Sequence, residues 1–332
     1  MSLKALRFSA FIAVIVWLVW YQLASPQPFL YLAHYWEITL TMVFGSLIAG
    51  ATSEGGGAVA FPVFTKVLNI APQEAKMFSL AIQSVGMSAA SLAIIYMGIA
   101  VEWRVIRWAS LGGLLGLILS AVWLVPLLTP AVIKMSFTAM ITSFAITLWV
   151  LNRRKTRLCH QQLPIFRIQE RFIILLAGFL GGIMGSLVGN GIDVITFSFM
   201  VLLFRLSEKV ATPTSVILMA INAVIGFAGY SWLMPHLTGQ LYWTTEVQAY
   251  WLAAVPIVVV GAPLGAMICS LLNRITIARF LIALIIVELV SSLWIIPLTP
   301  LVVVSSGMTL VVFSGLYAWM YGVRRYEPQT LS

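Results

Sequence analysis

The chain has 332 residues, of which 61% are hydrophobic and 9% charged, with a mean hydropathy of +1.03. A soluble domain carries roughly a quarter charged residues, so this composition excludes a water-soluble globular fold. The net charge of +9 would suit a nucleic-acid binder, but the basic residues sit in short segments between apolar runs, which excludes that class as well.

The first apolar stretch, Phe8 to Leu23, follows Lys4 and Arg7 and reads as an uncleaved transmembrane helix: Pro26 follows Ser25, and no A-x-A site precedes them. Further runs fall at about 37–53, 56–69, 75–99, 105–127, 131–151, 171–189, 192–205, 211–233, 247–272, 277–296 and 300–322. Most are long enough to cross a bilayer. Four are short or split by glycine (37–53, 56–69, 171–189 and 192–205), and they form two adjacent pairs. Fourteen helical residues reach only about 21 Å against a hydrocarbon core of about 30 Å, so each pair is expected to be a re-entrant hairpin of half-helices. Two full crossings would leave the same parity.

With the N-terminus inside, 16 of the 19 basic residues fall on the cytoplasmic side, and only Lys66, Lys76 and Lys134 fall outside. Both termini and the basic segment 152–170 are then expected in the cytoplasm. Trp17, Trp20, Trp103, Trp243, Trp251 and Trp319 cluster at the expected ends of spans and read as interfacial anchors.

The two hairpins resemble each other. A shift of 136 residues pairs Gly45 with Gly181, Gly55 with Gly191, Phe61 with Phe197, Ala75 with Ala211 and Ser79 with Ser215. Farther along, G-G-L-L-G at 112–116 matches G-A-P-L-G at 261–265, with Trp103 and Trp243 ahead of each. A hairpin plus three crossings per copy inverts the second copy relative to the first. The expected fold is therefore an all-α integral membrane protein of two inverted repeats, each a re-entrant hairpin plus three transmembrane helices, with extra helices at both ends. The expected organisation is an N-terminal helix and external loop (1–35), a first repeat (36–151), the basic cytoplasmic loop (152–170), a second repeat (171–299) and a C-terminal helix and tail (300–332).

Broken backbone at midplane depth is tolerated chiefly where it lines a cavity. The first break reads Thr52-Ser53-Glu54-Gly55-Gly56-Gly57-Ala58, and the second Gly189-Asn190-Gly191-Ile192-Asp193. Glycines let a ligand reach main-chain N–H groups, and a half-helix starting there presents the positive end of its dipole, which suits a small anion. Close helix packing is the rival explanation of the glycines. The candidate substrate-binding residues are Ser53, Gly55, Gly56, Gly57, Ser79, Gln83, Asn190, Gly191, Thr212 and Ser215. Glu54 and Asp193 would cap helix ends, pair, or stay protonated, and are the candidates for proton coupling. Glu288 lies within an apolar run and its role is open. Cys159 and Cys269 offer no disulfide framework, and His34, His160 and His236 are too scattered for a metal site, so no cofactor or metal is expected.

At these breaks the chain resembles the sulfite exporter TauE/SafE family. The resemblance rests on G-S-L-I-A-G-A-T-S-E-G-G-G-A-V-A-F-P at 45–62 with E-A-K-M-F-S-L at 74–80. It rests equally on G-G-I-M-G-S-L-V-G-N-G-I-D at 181–193 with A-T-P-T-S-V at 211–216, and it covers roughly residues 36–296. Glu54 and the Asn190, Ile192, Asp193 cluster depart from the family's glycine pattern. The resemblance implies export or uptake of sulfite, thiosulfate or organosulfonates such as sulfoacetate.

The expected function is a non-enzymatic secondary transporter of small anions in the inner membrane, with protons as the candidate coupling ion. A passive anion channel, or a cation-coupled carrier using Glu54 and Asp193, are the alternatives. Small anions and the lipid bilayer are the expected partners; the sequence leaves oligomeric state open.

Overall fold

The computed structural model describes residues 3–53, 63–153 and 158–326. It is built from helices: α1 (Leu3–Leu23), α2 (Pro28–His34), α3 (Trp36–Ala51), α4 (Pro72–Tyr96), α5 (Trp103–Leu119), α6 (Pro130–Asn152) and α7 (Ile168–Val188). These are followed by α8 (Ile192–Ser198), α9 (Glu208–Ala228), α10 (Thr245–Leu271), α11 (Arg274–Ile295) and α12 (Pro300–Gly322). Wider turns prolong α5, α8 and α9, as at Phe199–Leu203 and Gly229–Leu233. Four helices open on proline at a position whose N–H would have no helical partner: α2, α4, α6 and α12. Asn273 caps α11 by accepting from Thr276 N–H at 2.9 Å.

Among the described residues, nine helices are long and apolar enough to cross a membrane. α7 is one of them. It begins three residues before the apolar run at 171, because the Glu170 carboxylate accepts the Arg167 backbone N–H at 2.9 Å and extends the first turn. Its 21 residues reach about 31 Å, a full crossing by length, where the sequence suggested a half-helix. The helix Ile192–Leu203 is shorter and reaches only about 18 Å.

The chain divides into two compact units, and the boundary falls inside α9. Unit 1 holds Met1–Ile99 and Val216–Leu271; unit 2 holds Ala100–Ser215 and Leu272–Ser332.

In unit 1, α10 is the central helix, with α1, α3 and α4 packed on it. Its contact with α3 is backbone to backbone. A Cβ on Gly50 would lie 1.9 Å from the Ala262 carbonyl oxygen, and one on Gly265 would lie 2.1 Å from that of Leu47. Pro256 in mid-α10 deprives the Leu252 carbonyl of its helical donor. The indole N–H of Trp20 donates to that carbonyl at 2.7 Å, and Trp17 donates to the Pro256 carbonyl at 2.9 Å. Trp20 is buried and fastens α1 to α10. Trp251 donates to the Ala81 carbonyl at 3.2 Å, joining α10 to α4.

In unit 2, α5 and α7 meet in the same way. Cβ atoms on Gly112 and Gly116 would lie 2.0 Å from the carbonyl oxygens of Leu175 and Phe179, and those on Gly178 and Gly182 would lie 2.1 Å from Ala109 and Gly113. The two sequence-matched glycine segments, 112–116 and 261–265, thus each carry the first helix of a sequence-matched hairpin, α7 on one and α3 on the other. α6 packs against α11 and α12. α12 leaves Leu301, Val304, Met308, Val311, Val312 and Trp319 exposed, a surface suited to lipid.

Candidate functional site

In unit 1, α3 ends at Thr52, whose hydroxyl folds back to donate to the Ile48 carbonyl at 2.9 Å. Ser53 follows, buried, its hydroxyl without a hydrogen-bond partner among the described residues. Glu54, Gly55, Gly56 and Gly57 lie outside the described residues. The chain resumes in the turn Val63–Val67, where Phe64 stacks edge-on against Phe78 at 4.8 Å and seats the segment on α4. Ser79 and Gln83 are one turn apart on α4, and the Gln83 amide donates to the Ser79 hydroxyl at 2.6 Å. Lys76 lies one turn before Ser79 on the same helical face.

In unit 2, α7 stops because Gly189 adopts the left-handed conformation (φ +94°) and its N–H closes on the Gly185 carbonyl at 2.9 Å. Asn190 is buried. Gly191, at φ +141°, occupies a backbone region that a side chain would strain, and a Cβ there would sit 2.6 Å from that of Met184. Its N–H donates to Asp193 Oδ1 at 2.8 Å. Asp193 is 0% exposed and its second oxygen, Oδ2, has no hydrogen-bond partner among the described residues. Thr212 is buried with its hydroxyl likewise unpartnered, and the Ser215 hydroxyl donates to the Thr212 carbonyl at 2.8 Å. Asn190, Gly191, Asp193, Thr212 and Ser215 thus belong to unit 2, and Ser53, Ser79 and Gln83 to unit 1.

Three buried charged side chains, Lys134, Glu288 and Lys76, were given no role from sequence. In unit 2, Lys134 on α6 forms an ion pair with Glu288 on α11. Thr138 donates to the same Glu288 oxygen at 3.4 Å and shares a 3.0 Å hydrogen bond with Ser292. This network explains the intramembrane position of Glu288. The signal was in the sequence: Lys134 is the one basic residue within the 131–151 run, and Glu288 the one acidic residue within 277–296. In unit 1, Lys76 donates to the Tyr230 hydroxyl at 3.2 Å and lies over its ring, 4.3 Å from the centroid.

Carboxylates at the N-terminal ends of α5 and α7 tie unit 2 together. Glu102 accepts two 2.7 Å hydrogen bonds from the Arg104 guanidinium and one of 2.8 Å from the Leu163 N–H. Burial works against this carboxylate, but the Arg104 and Leu163 donors outweigh it and hold the carboxyl below its usual range. Glu170 pairs with Arg325 at 2.9 Å and accepts from Tyr326 at 2.9 Å. Burial, then the bond to Glu170, pushes the Tyr326 phenol up to about 12. The His160 N–H donates to the Arg205 carbonyl at 3.0 Å, and the Ser207 N–H donates to that of His160 at 2.9 Å. Segment 158–170 is thereby fixed to the ends of α5 and α9.

Among the described residues, no three His, Cys, Asp or Glu side chains converge as a metal site. No curated protein and no solved structure gives a significant match to the chain. A family model does: that of the sulfite exporter TauE/SafE, a family of membrane transporters rather than enzymes, matches residues 38–293. The match covers most of the chain and spans both breaks, and the chain belongs to the sulfite exporter TauE/SafE family.

Proposed function

We propose that the protein is a secondary transporter that exports sulfite or a small organosulfonate across the inner membrane, with proton movement as the coupling reaction. Family membership supports a sulfur anion as cargo. The observation that carries the site is the second break: two glycines at positive φ open the backbone, with a fully buried Asp193 beside them whose Oδ2 lacks a partner among the described residues. A proton on Oδ2 would supply a donor to an oxyanion, and its loss would place two negative charges together and expel the anion. Asn190, Gly191, Thr212 and Ser215 are assigned as further polar contacts to the anion. Ser53, Gly55, Gly56, Gly57, Ser79 and Gln83 are assigned the same role in the first break, with Glu54 as the coupling carboxyl there.

The inverted-repeat reading, with hairpins that return to the side they entered from, receives support from the matched contacts α3 on α10 and α7 on α5. Both termini are assigned to the cytoplasm by the basic-residue distribution. Purified protein in proteoliposomes tests the coupling. Flux of radiolabelled sulfite, sulfoacetate and thiosulfate is expected to depend on pH in the wild type and to lose that dependence in Asp193→Asn or Glu54→Gln. Unchanged pH dependence in both variants would remove these carboxyls from the coupling step.

A further inference from the structure

Lys76 is a cation in an unusual place. It is 5% exposed, within an apolar helix, and among the described residues no carboxylate lies within 4.0 Å of its Nζ. Its neighbours are the Tyr230 hydroxyl at 3.2 Å, the Tyr230 ring at 4.3 Å and the Tyr242 ring at 5.9 Å. The contrast is Lys134, also buried, whose charge is paired with Glu288. A buried ammonium is costly without a counter-charge, and aromatic faces offset only part of that cost. A lysine kept for packing alone would be better replaced by methionine.

The surroundings can accept an anion. An ammonium has three donors, and Tyr230 engages one of them. The other two can bind two oxygens of one oxyanion, with Tyr230 holding Nζ in place. The polar face continues along α4 to Ser79 and Gln83.

Resting on the transport reading above, we propose that Lys76, positioned by Tyr230, forms an anion-binding station in unit 1 that takes a sulfur oxyanion. Thermal unfolding of the purified protein with sulfite, sulfoacetate or thiosulfate, against chloride at equal ionic strength, tests it. Bound anion is expected to raise the wild-type melting temperature. Lys76→Gln should lose that rise, with a binding constant weakened about tenfold or more; Lys76→Arg should keep it. Tyr230→Phe, which retains the ring, should weaken binding a few-fold, about twofold to tenfold, and serves if Lys76→Gln does not fold.

A purely structural lysine would lower the melting temperature without anion and leave the anion-induced rise intact, and that result overturns the proposal. So does a wild type that no sulfur anion stabilises. Flux in the same preparations separates the two ideas. Loss of the rise in Lys76→Gln, in a protein that carries no sulfur anion, would keep the station and discard the transport reading. Flux with an unchanged rise in Lys76→Gln would do the reverse.

Discussion

Lys134 and Glu288 are 154 positions apart in sequence and form a buried ion pair between α6 and α11, with Thr138 and Ser292 hydrogen-bonded around it. Removing one partner leaves an uncompensated charge. Glu288→Gln is expected to lower stability by about 3–5 kcal/mol, whereas the double change Lys134→Met with Glu288→Leu should recover most of that loss. Thermal unfolding of the purified variants checks this; a single variant as stable as the double one would contradict it.

The Pro256 kink offers a sharper cycle. Trp20→Phe leaves the Leu252 carbonyl without a donor and should cost about 1–3 kcal/mol. Alanine at position 256 restores a backbone N–H to that carbonyl, so Trp20→Phe should cost clearly less in a Pro256→Ala background. Additive effects in the double-mutant cycle would mean that the indole contributes packing alone.

Glycines on the packed faces should differ from glycines facing outward. Gly50→Ala sets a Cβ 1.9 Å from a carbonyl oxygen, and Gly116→Ala one at 2.0 Å, so each is expected to cost about 1–3 kcal/mol or prevent assembly. Gly307→Ala meets nothing within 4 Å on α12 and should be neutral or slightly stabilising. Comparable losses at all three positions would contradict the packing described.

The Glu102 carboxyl is held below its ordinary value in the folded protein. Its contribution is therefore present above the pKa of the unfolded chain and is lost as pH falls through the folded value. Melting temperature measured from about pH 6 to about pH 3 should fall in the wild type, and Glu102→Gln should flatten that slope while lowering stability at neutral pH. An identical slope in the variant would remove Glu102 from the acid response.

Helices were legible because apolar runs and flanking prolines mark them directly: the runs at 75–99 and 131–151 became Pro72–Tyr96 and Pro130–Asn152. The glycine pattern also carried information, since the segments 112–116 and 261–265 are both helix-contact faces. What was not legible depends on which helices meet. Trp20 looks like any interfacial tryptophan until Pro256 is placed beside it. Glu288 had no visible partner because Lys134 is on a different helix, and Lys76 counted only as a basic residue near a helix start. The length of α7 depended on one side chain, Glu170, capping its first turn. Of the candidate residues, Asp193 and Gly191 stand in the break as read from sequence, while the burial of Thr212 required the fold.

The central claim is active transport of a sulfur oxyanion. The most direct measurement is uptake of radiolabelled sulfite, sulfoacetate and thiosulfate into proteoliposomes holding the purified protein, with and without an imposed pH gradient. The account predicts accumulation of at least one of these anions above its external concentration, only when the gradient is present. Equilibration without accumulation would make the protein a passive channel, and no movement of any of the three would contradict the account.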